Sequence, residues 1–153
     1  METDASLSRL ESHLGYWLRH VSNHVSGAFA RALEERQVSV AEWVVLVRID
    51  EARRITPGEL ASLTGMTRGA ISKVLDKLEA KGWIKRESRQ QDLRVQDVVL
   101  TGGGKRLVPK LAAIADANDH HFFDVLTAEQ QTTLRRLLDK IVQHHGMHGT
   151  PIE

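Results

Sequence analysis

The feature that most constrains this chain is a set of closely spaced helix start and stop signals in its middle third. Residues 56–59, Thr-Pro-Gly-Glu, have the pattern of a capping box with proline in the first helical position. Gly65 ends this short helix, and Thr67 caps the next one, which runs to a second glycine stop at Gly82. An earlier helix begins at the capping box of residues 39–42. The spacing predicts two helices joined by a tight turn, with a third helix before them.

After Gly82 the hydrophobic period changes to two. Residues 83–87 and 95–100 therefore predict two short β-strands, joined by a polar loop. Helical spacing returns over residues 105–126, and a capping box at residues 127–130 opens a last helix. The predicted fold is mainly α with a small β-hairpin, and residues 39–101 have the order of a winged helix-turn-helix.

A long apolar stripe precedes this core. A stripe of this length needs an extended surface to pack on, and a chain of 153 residues offers little of it. A second chain is therefore expected against the stripe, whereas the segment after His144 is expected to be frayed. The stripe residues recur at steps of three and four on one face of a helix predicted over residues 6–35: Leu7, Leu10, Leu14, Trp17, Leu18, Val21, Val25, Ala28, Phe29, Ala32 and Leu33.

Several classes of function are excluded or disfavoured by composition. The chain has no cysteine, which rules out disulfides, thiolate metal sites and thiol-based redox sensing. No apolar run approaches the ~20 residues of a membrane span, and the acidic start does not resemble a secretory signal, so a cytoplasmic location is expected. No nucleophile–base pair, phosphate-binding loop or metal-ligand spacing is visible. Neither an enzyme nor a bound cofactor is therefore expected.

The distribution of charge is more informative than the net charge of +1. Residues 67–106 contain ten Lys or Arg against five Asp or Glu, while the remainder contains eleven against fifteen. A basic block on an otherwise acidic protein is typical of a module that binds a polyanion. The alternative is an ordinary solvated charged face.

The second helix of a helix-turn-helix enters the major groove of DNA, and here that helix begins at Thr67. Its outward positions combine cations, hydroxyls and a glycine, which suit phosphate and base contacts at close approach. The candidate DNA-binding residues on this helix are Thr67, Arg68, Gly69, Ser72, Lys73 and Lys77. A solvated face is again the alternative.

The hairpin loop adds two arginines, Arg89 and Arg94, as candidate DNA contacts. Arginine suits a narrow minor groove, whose negative potential attracts the weakly hydrated guanidinium. Asp92 lies two residues before Arg94 and is predicted to hold that arginine through a charge-assisted hydrogen bond.

Residues 39–101 resemble the winged-helix core of the multiple-antibiotic-resistance regulator (MarR) family of bacterial transcription factors. The matching text is EWVVL at residues 42–46, TPGELA at 56–61, MTRGAIS at 66–72, LEAKGWI at 78–84, and DLR with VVLT on the hairpin. The three consecutive glycines at 102–104 depart from the family pattern. They weaken a helix start by roughly 1 kcal/mol each relative to alanine. This junction is interpreted either as a softened hinge or as a plain tolerated loop.

The resemblance implies a homodimer held together by the first helix and the last two. It divides the chain into an N-terminal dimerisation helix (1–38), a DNA-binding lobe (39–101) and C-terminal dimerisation helices (102–153). It also implies that the dimer reads a pseudo-palindromic operator in double-stranded DNA, usually as a repressor, and that a small aromatic or carboxylate ligand between the lobes releases it. The alternatives are a winged-helix protein-interaction module without specific DNA binding, and a metal-responsive regulator.

A ligand pocket is the least constrained prediction. Three histidines lie within about 40° of one another on the first helix at 100° per residue, flanking the stripe beside a tryptophan. They can line a pocket, pair around a metal, or fill a dimer seam, and the tryptophans can equally be core. The absence of cysteine and of a tight carboxylate cluster argues against a metal. The candidate pocket residues are His13, Trp17, His20, His24 and Trp43.

Overall fold

The computed structural model describes residues 7–152. It is mainly helical with one two-stranded hairpin, which confirms the predicted fold class. A 3₁₀ turn, Leu10–Ser12, precedes the helices and strands. These are α1 (Leu14–Glu34), α2 (Val40–Ala52), α3 (Pro57–Thr64), α4 (Arg68–Ala80), β1 (Ile84–Ser88), β2 (Gln96–Leu100), α5 (Gly102–Phe123) and α6 (Ala128–His145).

The predicted capping boxes set the starts of α2, α3 and α6. At α3, the Thr56 hydroxyl accepts a hydrogen bond from the Glu59 backbone N–H at 3.2 Å, and the Glu59 carboxylate accepts one from the Thr56 N–H at 2.9 Å. Gly65 ends α3 with φ +74°, a left-handed conformation that glycine adopts without strain. Local hydrogen bonding therefore fixes where the helix-turn-helix bends.

The first helix begins later than the sequence predicts. Ser6 lies outside the described residues, and the backbone is extended at His13, so α1 starts at Leu14. The Trp17 indole N–H donates to the Glu11 carbonyl at 2.8 Å, which ties the 3₁₀ turn to the first turn of α1. The apolar stripe is therefore carried by a turn and a helix instead of one continuous helix.

Helix α5 begins earlier than predicted, because the Thr101 hydroxyl caps it by accepting from the Gly104 N–H at 3.1 Å. The three glycines form its first turn, so the expectation of a plain loop is wrong. A Cβ on Gly104 would overlap the Trp83 carbonyl, whereas one on Gly103 would meet only ordinary contacts. One of the three positions thus requires glycine for close packing.

The hairpin is antiparallel, with Ile84 opposite Leu100 and Ser88 opposite Gln96. Ile55, between α2 and α3, pairs with the hairpin: it donates to the Val98 carbonyl at 3.3 Å and accepts from the Val98 N–H at 2.7 Å. The base of the wing is therefore joined to the helix-turn-helix by backbone hydrogen bonds.

One hydrophobic core holds the lobe together. Helix α1 contributes only Leu33 to the buried set, and α6 contributes no buried residue. Within the described chain, no helix is long and apolar enough to cross a membrane. The core joins α2–α4 and the hairpin to the ends of α1 and α5: Leu33, Val38, Val45, Leu46, Ile49, Ile55, Leu60, Ile71, Leu75, Leu78, Ile84, Val98, Leu100, Val108 and Leu111.

Candidate nucleic-acid interface

Helix α4 presents one buried and one open face. Ile71, Leu75 and Leu78 pack into the core, and Thr67 caps the helix by accepting from the Ala70 N–H at 3.1 Å. The opposite face carries all the sequence-predicted contact residues of this helix, and all of them are exposed: Thr67, Arg68, Gly69, Ser72, Lys73 and Lys77.

Neighbouring side chains hold α4 at both its middle and its end. Arg86 on β1 donates to the carboxylates of Asp76 at 3.1 Å and Glu79 at 3.4 Å. At the end of the helix, the Lys81 ammonium donates to the buried Glu42 carboxylate at 2.8 Å and to the Gln37 carbonyl at 2.6 Å. Because Arg86 pairs with both acids, the charges left open on the outer face of α4 are positive.

The tip of the wing carries a preorganised arginine. Asp92 accepts hydrogen bonds from the Arg94 backbone N–H at 3.1 Å and from its side-chain Nε at 3.2 Å. The Arg94 side chain is nevertheless 92% exposed, so its terminal nitrogens point to solvent. Leu93, which lies between Asp92 and Arg94 in the sequence, is 75% exposed. Sequence reasoning missed Leu93, although an apolar residue in a polar loop is itself a signal.

The other predicted wing arginine, Arg89, directly follows β1, where the hairpin loop begins. Its guanidinium donates to both oxygens of Asp97 at 2.8–3.0 Å. Arg54, from the loop between α2 and α3, donates to the same carboxylate at 3.2 Å and to Glu87 at 2.9 Å. Arg89 therefore has a protein partner in the position where the sequence predicts a DNA contact.

This cluster (Arg54, Glu87, Arg89 and Asp97, here called the wing base) was not predicted. Asp97 is fully buried, and a charged residue within a short apolar strand is the sequence signal that could have revealed it. Hydrogen bonds from Arg89 lower the pKa of Asp97, with Arg54 adding to the effect and burial opposing it. The same hydrogen bond raises the pKa of Arg89, and Lys85 lowers the pKa of Glu87. Asp97, Glu87 and Arg89 therefore stay charged at neutral pH.

Among the predicted ligand-pocket residues, His20 and His24 are neighbours on α1, with ring centres 4.9 Å apart. His13, Trp17, His20 and His24 are exposed on or beside α1, and His20 stacks on Tyr16 with ring centres 5.8 Å apart. In contrast, Trp43 is half-buried and packs edge-on against Phe29. Residues 7–152 contain no group of three or more His, Asp or Glu that could hold a metal ion. A pocket formed by these residues stays a prediction.

Two of the cavities within residues 7–152 lie beside the first or the last helix. A cleft of about 550 Å³ opens between α5 and α6, lined by acids, an arginine and apolar residues that include Asp116, Asp119 and Leu138. A smaller cavity of about 340 Å³ lies between the end of α1 and the start of α2, beside Lys81 and Glu42. The second cavity lies where the long first helix meets the winged-helix core.

The family model described as MarR family matches residues 38–95. The multiple antibiotic resistance protein MarR of Escherichia coli (strain K12) is 30% identical over 130 residues, covering 84% of this chain and 90% of that protein. A mutant E. coli MarR solved with operator DNA has a TM-score of 0.74 at 29% identity, covering 84% of this chain and 93% of that one.

The fold is also that of CouR from Rhodococcus jostii RHA1, solved with p-coumaroyl-CoA. Its TM-score is 0.77 at 24% identity, over 94% of this chain and 99% of that one. A helix-turn-helix followed by a hairpin defines the class of winged-helix DNA-binding proteins. Within that class, the chain belongs to the MarR family of transcriptional regulators, as the sequence resemblance predicted.

Proposed function

We propose that this protein is a homodimeric, sequence-specific DNA-binding regulator whose α4 reads the major groove while the wing tip enters the adjacent minor groove. The observation that supports this proposal is that two cationic surfaces are open. One is the outer face of α4, and the other is Arg94, which Asp92 holds while its terminal nitrogens point to solvent. Lys73 and Arg68 supply charge for phosphate and base edges, and Arg94 suits the negative potential of a narrow minor groove. Leu93 adds an apolar contact with the sugar walls of that groove.

The dimer is the second part of the proposal. Exposed apolar residues are concentrated on the 3₁₀ turn, α1 and α6, whereas monomeric proteins rarely expose large contiguous apolar patches. A second copy buries these faces, and the cleft between α5 and α6 receives its helices. The division into residues 1–38, 39–101 and 102–153 assigns the middle part to DNA and both ends to this interface. The faces carry Leu7, Leu10, Leu14, Trp17, Leu18, Val21, Leu137, Leu138, Ile141 and Val142.

Regulation is the third part. A small aromatic or carboxylate ligand bound between the lobes shifts the DNA-binding lobes only if it favours one of their arrangements. The cavity beside Lys81 lies at that junction, and because this lysine is paired with Glu42, a ligand carboxylate would have to displace that ion pair. The proposed outcome is repression, released by the ligand. A thermal-shift screen of small aromatic acids tests this part, since a ligand that binds the native state raises Tm.

The decisive experiment measures binding to promoter DNA adjoining the protein's own gene. We expect a steep loss of affinity with salt, because each phosphate contact releases counterions. Arg94→Ala and Lys73→Ala should each weaken binding by about tenfold or more. Lys110→Ala, which removes one exposed positive charge from α5, is the matched control and should change affinity little. Affinity that does not respond to Arg94 or Lys73 would contradict the proposal and leave a protein-interaction module.

A further inference from the structure

The segment that follows α6 (residues 146–152, here the return segment) folds back onto the helix-turn-helix. The expectation that it is frayed is wrong. The Thr150 backbone N–H donates to the Thr64 carbonyl at 3.3 Å, and its hydroxyl donates to the Leu63 carbonyl at 3.3 Å. The same hydroxyl accepts a hydrogen bond of 3.0 Å from the Arg48 guanidinium on α2. One residue of the return segment thus contacts two helices of the lobe.

These carbonyls are available because of where α3 ends. The last four carbonyls of a helix have no partner within the helix. At the end of α3, the Gly65 N–H takes the Ala61 carbonyl at 2.9 Å. Thr150 supplies donors to two of the remaining carbonyls, those of Leu63 and Thr64. The return segment therefore caps two of the last carbonyls of the first helix of the helix-turn-helix.

Gly149 lets the two backbones approach closely. Its φ is +93°, a conformation that L side chains rarely adopt. A Cβ at this position would lie 3.2 Å from the Thr64 carbonyl oxygen and 3.7 Å from the Gly65 Cα. The return segment lies directly on the turn that precedes Thr67, so a side chain at Gly149 strains the backbone and pushes against the Thr64 carbonyl.

The return segment also fastens α6. Within the described part of the chain, none of the residues of α6 is buried. At its start, the Gln131 amide donates to the Phe123 and Leu126 carbonyls at 3.0 and 3.2 Å. At its other end, the return segment makes the Thr150 contacts. Helix α6 is therefore tied to the end of α5 through Gln131, and the segment that follows it is tied to the end of α3 and to α2 through Thr150.

We propose that Thr150 and Arg48 are positioning residues for DNA binding. They hold the turn between α3 and α4, and with it the start of the recognition helix, at a fixed orientation to α6. This inference rests on the proposed function in one respect, since α6 belongs to the proposed dimer interface. Fixing the lobe before DNA arrives lowers the ordering cost of binding, which raises affinity without any new DNA contact.

Hydrogen exchange tests the contact itself, whatever the oligomeric state. In the full-length protein, Gly149→Val should speed amide exchange in a peptide covering residues 63–67 by about tenfold, because the cap opens. Thr150→Val, which loses the hydroxyl but keeps the shape, should have a smaller effect. Thr150→Ser keeps the hydroxyl and should restore the protection of the unmodified protein. Unchanged exchange in Gly149→Val overturns the proposal.

Spin labelling tests the positioning. Since the chain has no cysteine, Gln90→Cys places one nitroxide on each wing, and electron–electron dipolar spectroscopy reports the wing-to-wing distances in the dimer. Gly149→Val should broaden that distribution and raise the Kd for promoter DNA by about fivefold, the effect of losing roughly one net hydrogen bond. Thr150→Ser should keep both values.

The outcomes are distinguishable. Faster exchange with unchanged distances and affinity would reduce the return segment to a cap of α3 and overturn its positioning role. A wild-type protein with no dipolar signal would be a monomer, which contradicts the proposed dimer. In that case, faster exchange together with weaker DNA binding in Gly149→Val would still support the positioning role, and unchanged exchange would still overturn it.

Discussion

The hairpin contains two arginine–aspartate pairs of the same chemistry in opposite surroundings. At the wing base, Arg89 binds both oxygens of an Asp97 that is fully buried. At the tip, the Arg94 side chain reaches Asp92 through its Nε alone, and this side chain is 92% exposed. Burial therefore decides which pair is part of the architecture and which arginine is available to a ligand.

The acceptors make the same distinction. Asp97 receives hydrogen bonds from two guanidinium groups, so both of its oxygens are occupied. Asp92 orients one edge of Arg94 and leaves the terminal nitrogens without a protein partner among the described residues. A guanidinium held in this way keeps its charge and its geometry for an external anion at little further entropic cost.

The largest expected difference between the two pairs is in stability. Asp97→Asn removes the charge that both Arg54 and Arg89 contact, and it should lower Tm by roughly 5 °C. Asp92→Asn makes the same chemical change at the exposed tip and should shift Tm by no more than about 1 °C. Thermal unfolding followed by circular dichroism measures both. Equal shifts would show that burial does not separate the pairs.

Salt dependence separates the two arginines. Arg94→Ala should reduce the slope of log affinity against log salt by about 2 in a dimer, because one phosphate-like contact per wing is lost. Arg89→Ala should lower Tm and leave the slope close to that of the wild type, since Arg89 faces Asp97. Fluorescence anisotropy at four salt concentrations provides the slopes. A reduced slope for Arg89→Ala would show that Arg89 contacts DNA, as the sequence predicts.

Acid should loosen the wing base in a defined direction. The pKa of Asp97 is lowered in the folded protein, mainly by Arg89, so its stabilising contribution is present above the ordinary aspartate pKa of about 4. The contribution is lost as the pH falls below that value and through the folded pKa. The Tm difference between wild type and Asp97→Asn should therefore shrink from pH 7 to pH 3. A constant difference would contradict the assigned charge state.

Local signals in the sequence were sufficient for the positions of the helices and the hairpin. Capping boxes, glycine stops and the change of period depend on neighbouring residues, and the bounds of α3 and α4 follow from them. The start of α5 was misplaced because three glycines disguise a first turn that Thr101 caps. The close approach of Gly104 to the Trp83 carbonyl joins residues that are far apart in the sequence. Such a contact produces no sequence pattern among neighbouring residues.

Long-range contacts also explain which features of the candidate site could not be predicted from the sequence. The exposure of the α4 face follows from helical periodicity, so those residues could be chosen in advance. The sequence predicts one role for Arg89 and Arg94 because both are loop arginines, and only the folded hairpin places Arg89 and Arg54 on the same Asp97. The return segment was expected to be frayed because its composition is loop-like, while its partners lie more than 80 residues away.

The smallest expected effect sharpens the description of the tip. Leu93→Ala should weaken binding by about fivefold at every salt concentration, because the proposed contact is apolar and releases no counterions. Gln91→Ala, at another exposed residue of the same loop, is the control and should have little effect. Parallel lines in the plot of log affinity against log salt are the expected observation for Leu93→Ala. Converging lines would mean that the substitution acts by displacing Arg94, and the apolar contact would then be abandoned.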